Sequence, residues 1–300
     1  MSYSKGEEME NEFLTPFLAY LLAQNYAKNT IDAYRRDIRQ FLKFLEFVKV
    51  HQELKEVTEA DINDYLAHLT KEGIAPSSRA RKLNAVKSFF RFLVHTHRLK
   101  TNPAQPVKTP KTDTKQMRVL TEIEYRRLRD IVRNQSVRDY AIVELVLQTG
   151  LRASEVCDLK YPSDIEFSSP SVHASVTVRD TKSRKDRLVP LNSVAERAIK
   201  AYLALRPPDG ETDNLFLTNR KTPLTRSLLH RMLLRYLKLA NIIGASFHTL
   251  RHTFATHSIN RGTNLIVVQE TLGHKHLTTT QKYLHFIRER QVQELEQNAL

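Results

Sequence analysis

The chain has 300 residues, enough for about two domains with separate cores, and its 41% apolar content is ordinary for a folded soluble protein. Its charge is not ordinary: 47 Lys and Arg against 33 Asp and Glu leave +14, with a pI near 9.8, and the default partner of such a surface is a polyanion. No secretory leader, disulfide framework or membrane span is expected. Residues 1–12 are polar and acidic, Cys157 is the single cysteine, and the apolar run 141–147 is short and interrupted by Glu144. A buried thiol in a reducing cytosol is the expected state of Cys157, so the protein is expected to be soluble and cytoplasmic.

Residues 1–12 are expected to be loosely ordered, and residues 13–100 read as helix after helix. Asn29 or Thr30 can cap a helix whose apolar positions Ile31, Tyr34, Ile38, Phe41, Leu42 and Leu45 keep the helical period, with Arg35, Arg36, Arg39 and Lys43 mostly off that stripe. Thr58 is a cap for the next helix, with Asp61 in its third position. Gly73 to Ser77 then opens a longer helix with Leu83, Val86, Phe89, Phe90, Leu93 and Val94 inward and Arg79, Lys82, Lys87 and Arg91 outward.

Between Gly73 and Thr121 there are eleven Lys or Arg against one acid, Asp113. A solvated helix face mixes signs, whereas this stretch reads as a surface that tracks phosphates; the plainer alternative is a helical bundle whose surface happens to be basic. Residues 101–116 carry three prolines and no periodic apolar residue, the pattern of an extended, semi-rigid linker. Lys108, Lys111 and Lys115 along it suit a connection lying on phosphates.

From Met117 the pattern is mixed. Helices are expected over 121–134 and 137–148, with Gly150 in the left-handed position that ends the second, and a short helix from Arg152. Val172, Ala174, Val176 and Val178 alternate as a strand, with 187–190 as its return partner and a basic hairpin tip at 180–186. Helices are expected at 193–205, 224–240, 246–260, 263–272 and from 278 onward.

The chemistry-bearing residues are Arg152 beside Gly150, the pair His248 and Arg251, then His274 and Tyr283. Attack on a phosphodiester by a protein hydroxyl gathers negative charge on two non-bridging oxygens, which planar guanidiniums match with paired hydrogen bonds. Residues three apart on a helix share a face, which puts His248 with Arg251. The spacing of His248 and His252 admits a zinc reading, but Thr249 stands where a Glu base would be and Arg251 would repel a cation. A phenol is a poor nucleophile at neutral pH; neighbouring Arg and His favour its phenolate and take its proton. Taken alone, Tyr283 would be a core aromatic. The leaving oxygen needs a proton, for which the hairpin tip offers Lys182 and Lys185.

The ordered set 149–155 (TGLRASE), 181–190 (TKSRKDRLVP), 248–256 (HTLRHTFAT), 272–274 (LGH) and Tyr283 resembles the tyrosine recombinase (phage integrase) family. It is similar in particular to the compact Xer-type and transposon-resolvase members, over nearly the whole chain. The resemblance implies a mainly α fold with a small antiparallel sheet. Residues 13–100 would form a helical, SAM-like core-binding domain, 101–116 the linker, and 117–300 a mixed α/β catalytic domain.

It also implies roles: Arg152 and Arg251 as phosphate clamps, Tyr283 as the nucleophile forming a 3′-phosphotyrosine, and His248 as general base or hydrogen-bonding partner. His274 would be a transition-state donor, Lys182 the general acid and Glu155 a brace. Thr181 and Ser183 replace the glycines usual around that lysine, so Lys185 stays a rival. No cofactor is implied, because the phosphotyrosyl bond conserves the energy of the broken phosphodiester, and the seven glycines form no nucleotide loop. The implied partners are duplex DNA with inverted half-sites and three further copies, a homotetramer on two duplexes joined through the C-terminal helix at 288–300. Nothing in the sequence identifies an accessory protein. A type IB topoisomerase would use the same chemistry without synapsis, and a non-catalytic DNA-binding regulator is the third reading; the separate helical domain and the complete catalytic set favour the recombinase.

Overall fold

The computed structural model of the chain describes residues 9–48, 53–111, 117–179, 186–206 and 212–273. The chain divides into two compact units, Met1–Lys115 and Gln116–Leu300.

In the N-terminal unit a π turn at Glu10–Leu14 runs into α1 (Thr15–Ala23), followed by α2 (Lys28–Phe47), α3 (Glu59–Lys71) and α4 (Pro76–His95). α3 starts at a reciprocal cap, in which Thr58 Oγ1 accepts the Asp61 N–H and the Asp61 carboxylate accepts the Thr58 N–H. α4 starts on Pro76, whose fixed φ suits a first helical position. α2 differs from expectation: it begins at Lys28 after an extended Ala27, with no side-chain cap, so neither Asn29 nor Thr30 starts it. Its stability comes from burying Ile31, Ile38, Phe41, Leu42 and Leu45. At the centre Phe17 meets Tyr34 and Phe89 edge-on at 5.8 and 5.4 Å, and Phe41 meets Tyr65 and Phe90 at 5.1 and 5.9 Å.

The segment expected to be an extended linker from residue 101 starts later. Ala104 and Val107 are buried in the N-terminal core. Asn102 Nδ2 donates to the Lys87 carbonyl at 3.2 Å, and Lys87 Nζ donates to the Val107 carbonyl at 2.7 Å. Two small apolar residues among prolines match neither the helical nor the strand period, so no pattern marks them as core.

The C-terminal unit opens with α5 (Glu122–Gln135), capped by a Thr121–Glu124 box, and α6 (Val137–Thr149). Then come α7 (Ala153–Asp158), β1 (Ile165–Glu166), β2 (Ser175–Val178), β3 (Arg187–Pro190), α8 (Ser193–Leu203), α9 (Arg226–Leu239), α10 (Phe247–Asn260) and α11 (Leu265–Leu272). The strands form an antiparallel meander, β1-β2-β3, in which Val178 pairs with Arg187 at the mouth of the hairpin. β1, only two residues long, has no alternation to announce it.

α6 is the axis of this unit. Every residue from Ala141 to Leu147 is buried, so the apolar run is a core helix. Its two carboxylates carry partners into the core, since an unpaired buried charge is costly. Glu144 pairs with Arg129 and accepts from Gln148 Nε2 at 3.1 Å, while Asp139 accepts from Arg138 Nε and Tyr236 Oη, both at 2.8 Å. The helix stops at Gly150, whose φ of 67° is left-handed. A Cβ there would stand 2.5 Å from Leu272 Cδ2 and 2.6 Å from Phe254 Cδ1. Gly150→Ala is therefore expected to destabilise the protein by about 3 kcal/mol from backbone strain and overpacking. The expected readout is a lower urea midpoint at unchanged slope; an unchanged midpoint would mean the turn relaxes freely.

Candidate active site

The turn after α6 and the end of α11 meet at the side chain of Arg251. This guanidinium, on α10 and only 5% exposed, donates from Nη1 to the Gly150 carbonyl and from Nη2 to the Leu272 carbonyl, both at 2.6 Å. Arg152 approaches the same helix end: its Nη2 donates to the Gly273 carbonyl at 3.3 Å, and its side chain stays 39% exposed. Two guanidiniums from distant parts of the chain thus sit on consecutive carbonyls. The last carbonyls of a helix lack intrahelical partners and carry partial negative charge, so cations are favoured there. Gly273, with φ of 64°, caps the helix in the left-handed form.

Glu155 organises the other side of Arg152. Its Oε1 accepts from Arg152 Nη1 at 2.7 Å and its Oε2 from the Arg152 N–H at 2.8 Å. Arg187, on β3, adds a bidentate pair at 3.0 and 2.9 Å and donates from Nε to the Thr271 carbonyl at 3.1 Å. Burial pulls the Glu155 carboxyl up, but the bonds from Arg187 and the Arg152 amide, with the two guanidinium charges, outweigh it and hold it below the usual carboxylate value.

α10 begins where Ser246 and Thr249 cap each other. This places His248 in the first turn, on the exposed side of the helix. Desolvation, followed by the positive charges of Arg251, Arg152 and Arg226, pushes its imidazole below the ordinary value of 6.5. The shift favours the neutral ring, the form that can accept a proton. The helix is tied to the start of the unit by the Leu120 N–H, which donates to Thr253 Oγ1 at 2.9 Å.

Of the residues singled out in the sequence, Arg152, Glu155, His248 and Arg251 come together. Lys182, Lys185, His274, Tyr283, Lys115 and the expected C-terminal helix lie outside the described residues. Arg187 and Arg226 are additions. Arg187 falls within the motif at 181–190, yet no spacing says that its guanidinium reaches a carboxylate in α7. Among the described residues no three His, Cys, Asp or Glu side chains form a metal-holding group, and no described helix is long and apolar enough to cross a membrane.

The basic residues of the N-terminal unit divide into two sets. Lys82 is turned inward, correcting its outward assignment: its side chain is 12% exposed and binds Asp37 at 3.1 Å and Gln40 at 2.6 Å, with Arg81 on the same carboxylate. Lys87 is likewise corrected, since it holds residues 105–107 against α4. Arg35 pairs with Asp32, Arg39 with Glu10, and Arg79 with Thr70. Arg36, Lys43, Arg91, Lys108 and Lys111 are exposed.

The sequence profile described as the phage integrase family matches residues 118–290, and that of the phage integrase N-terminal SAM-like domain matches residues 14–97. The chain belongs to the phage integrase family. Among its family relatives, the tyrosine recombinase XerC of Chlorobaculum parvum is 36% identical over 91% of this chain and 90% of that one. The tyrosine recombinase XerD of Halalkalibacterium halodurans is 33% identical over 94% and 96%. Of solved family structures, the XerA recombinase is 31% identical over 94% of this chain and 98% of that one, with a TM-score of 0.53. The XerH recombinase bound to a palindromic difH substrate, 22% identical over 91% and 80% with a TM-score of 0.75, shows a shared fold. The helical unit followed by a mainly α unit with a three-stranded antiparallel sheet is thus the family's architecture.

The two depressed histidines have a consequence for stability. His257, lowered by burial and then by Arg261 against a bond to the Leu120 carbonyl, joins His248 below 6.5. Below that pH the unfolded chain binds protons that the folded chain resists, so stability is lost as pH falls. The thermal midpoint is expected to drop between about pH 7.5 and pH 5.5, and less steeply in His257→Gln. An equal slope in the variant would remove His257 from the account.

Proposed function

We propose that the chain is a site-specific DNA recombinase that cuts and rejoins duplex DNA through a phosphotyrosyl intermediate. The observation that carries this reading is the convergence of Arg152 and Arg251 on the Leu272 and Gly273 carbonyls. Gly273 directly precedes His274 in the sequence, ahead of Tyr283.

In the proposed reaction the Tyr283 oxygen attacks the scissile phosphorus and the bond to O5′ breaks, leaving a 3′-phosphotyrosine. The phenolic proton passes to His248, and the departing O5′ takes a proton from Lys182, with Lys185 as the alternative donor. Arg152 and Arg251 offset the charge that builds on the non-bridging oxygens, and His274 adds a hydrogen bond there. Because Arg251 is anchored by two carbonyls, its charge is in place before the substrate arrives, which avoids reorganisation during the reaction. Attack by the 5′-hydroxyl of another strand then restores a phosphodiester and releases the tyrosine. One phosphorus–oxygen bond forms for each one broken, so no nucleotide is consumed.

The substrate is a duplex with inverted half-sites, to which both units contribute contacts. Arg36, Lys43, Arg91, Lys108 and Lys111 supply phosphate contacts, with Lys115 continuing the linker. Exchange takes place in a homotetramer on two duplexes, with residues 288–300 reaching a neighbouring copy, in the cytoplasm.

A duplex selected by the protein from a random-sequence pool, nicked near the cleavage position, is expected to trap a covalent adduct. Tyr283→Phe should abolish it; an adduct that survives would remove Tyr283 as nucleophile. Two labelled duplexes should exchange strands, whereas relaxation of plasmids without exchange would favour the topoisomerase reading.

Lys182→Ala and Lys185→Ala tested on a 5′-phosphorothiolate substrate decide the acid, because a thiolate leaves without a proton. Only the true acid's loss should be rescued. Rescue of neither variant would place the acid elsewhere.

A further inference from the structure

The least exposed member of the arginine cluster around Glu155 is not one that faces the substrate. Arg187 has a side chain only 17% exposed, against 39% for Arg152. It begins β3 and pairs with Val178, so it stands at the mouth of the hairpin that carries Lys182 and Lys185 in sequence. From there it reaches both other parts of the site: the Glu155 carboxylate at 3.0 and 2.9 Å, and the Thr271 carbonyl at 3.1 Å.

These contacts close a ring. Arg187 holds Glu155; Glu155 holds the amide and guanidinium of Arg152; Arg152 reaches the Gly273 carbonyl; and the backbone leads from Gly273 to Thr271 and back to Arg187. The guanidinium also lies against Gly273, where an added Cβ would come within 3.0 Å of its Cζ, Nε and Nη1. Glycine at 273 therefore leaves space for Arg187 as well as giving the left-handed cap.

Charge makes the ring more than a brace. Two guanidiniums against one carboxylate leave one net positive charge facing the site. Without Arg187, Glu155 would belong to Arg152 alone, and the pair would be neutral where a phosphate must bind. A half-covered carboxylate beside the clamp then competes with the phosphate for the same donors.

We infer that Arg187 is a positioning residue that shares the charge of Glu155, keeps Arg152 available to the phosphate, and ties the hairpin to the α11 terminus. This role rests on the recombinase reading and goes beyond what the family resemblance implies. Arg187 acts through Arg152 and does not touch substrate.

The test uses the full-length protein and the nicked duplex selected from a random-sequence pool, with adduct formation followed in single turnover at saturating protein and affinity measured separately. Arg187→Gln should slow the chemical step by about 10- to 100-fold, the range expected when a clamp is displaced by about 1 Å, with affinity within about threefold because exposed phosphate contacts are untouched. Arg187→Lys, which keeps the charge but not the bidentate geometry, should lose less.

The decisive variant is the double change Glu155→Gln with Arg187→Gln. Removing the competing carboxylate restores the positive charge on Arg152, so the double variant should cleave faster than Arg187→Gln alone. A purely structural role predicts a double variant worse than either single one. Arg187→Gln and Arg187→Lys both cleaving at the wild-type rate, a double variant slower than Arg187→Gln, or affinity falling in step with rate would each overturn the inference. Should Arg187→Gln fail to fold, comparison of Arg187→Lys with Glu155→Gln/Arg187→Lys separates the same two outcomes. A wild-type protein that forms no Tyr283-dependent adduct would sink the recombinase reading itself, whereas indifferent Arg187 variants beside a cleaving wild type sink only this role.

Discussion

Two carbonyl groups at the end of α11, those of Leu272 and Gly273, are where the catalytic unit is pulled together. Arg251 reaches the first and Arg152 the second, and Arg251 spans on to the carbonyl of Gly150 two residues before Arg152. A helix end with unpaired carbonyls attracts cations, and here it attracts two that would otherwise repel each other. The approach depends on glycine at 150 and 273, both left-handed: a methyl at the first meets Leu272 and Phe254, and at the second it meets Arg187. Backbone geometry and charge placement are the same feature in this site.

Around that point, carboxylates decide where the cations stay. Glu155 takes donors from two arginines and one backbone amide, so it is held ionised despite burial. Elsewhere in the unit, Glu144 and Asp139 carry their own partners into the core along α6. Buried pairs add little net stability, but removal of one member leaves a costly charge. In the N-terminal unit Asp37 does the same between α2 and α4, drawing Lys82 inward while Arg81 pairs with it from an exposed position. Part of the +14 excess is therefore structural, and the charge left for a polyanion is smaller than the residue count suggests.

Much of the fold was legible because local chemistry acted alone. The box at Thr58, the proline that opens α4 and the left-handed Gly150 each follow from residues within four positions of one another. The misses have the opposite character. α2 starts at Lys28 without a cap because packing carries it. Ala104 and Val107 join the core without a period, and Lys82 and Lys87 turn inward toward partners far away in sequence. β1 has only two residues, too few to alternate.

For the site, residue types and order in the sequence pointed to phosphate chemistry and to the family: two arginines, two histidines, a lysine-bearing hairpin and a tyrosine. Amino-acid chemistry sets what each group can do, so that much was fixed before folding. What only the tertiary structure decided is which groups restrain one another: Arg251 on the Gly150 and Leu272 carbonyls, Arg187 on Glu155 and Thr271, and His248 pushed below its ordinary value by desolvation and three guanidiniums. Those restraints join atoms from separate elements, and both hydrogen bonding and charge interaction depend on distance in space, to which distance along the chain is no guide.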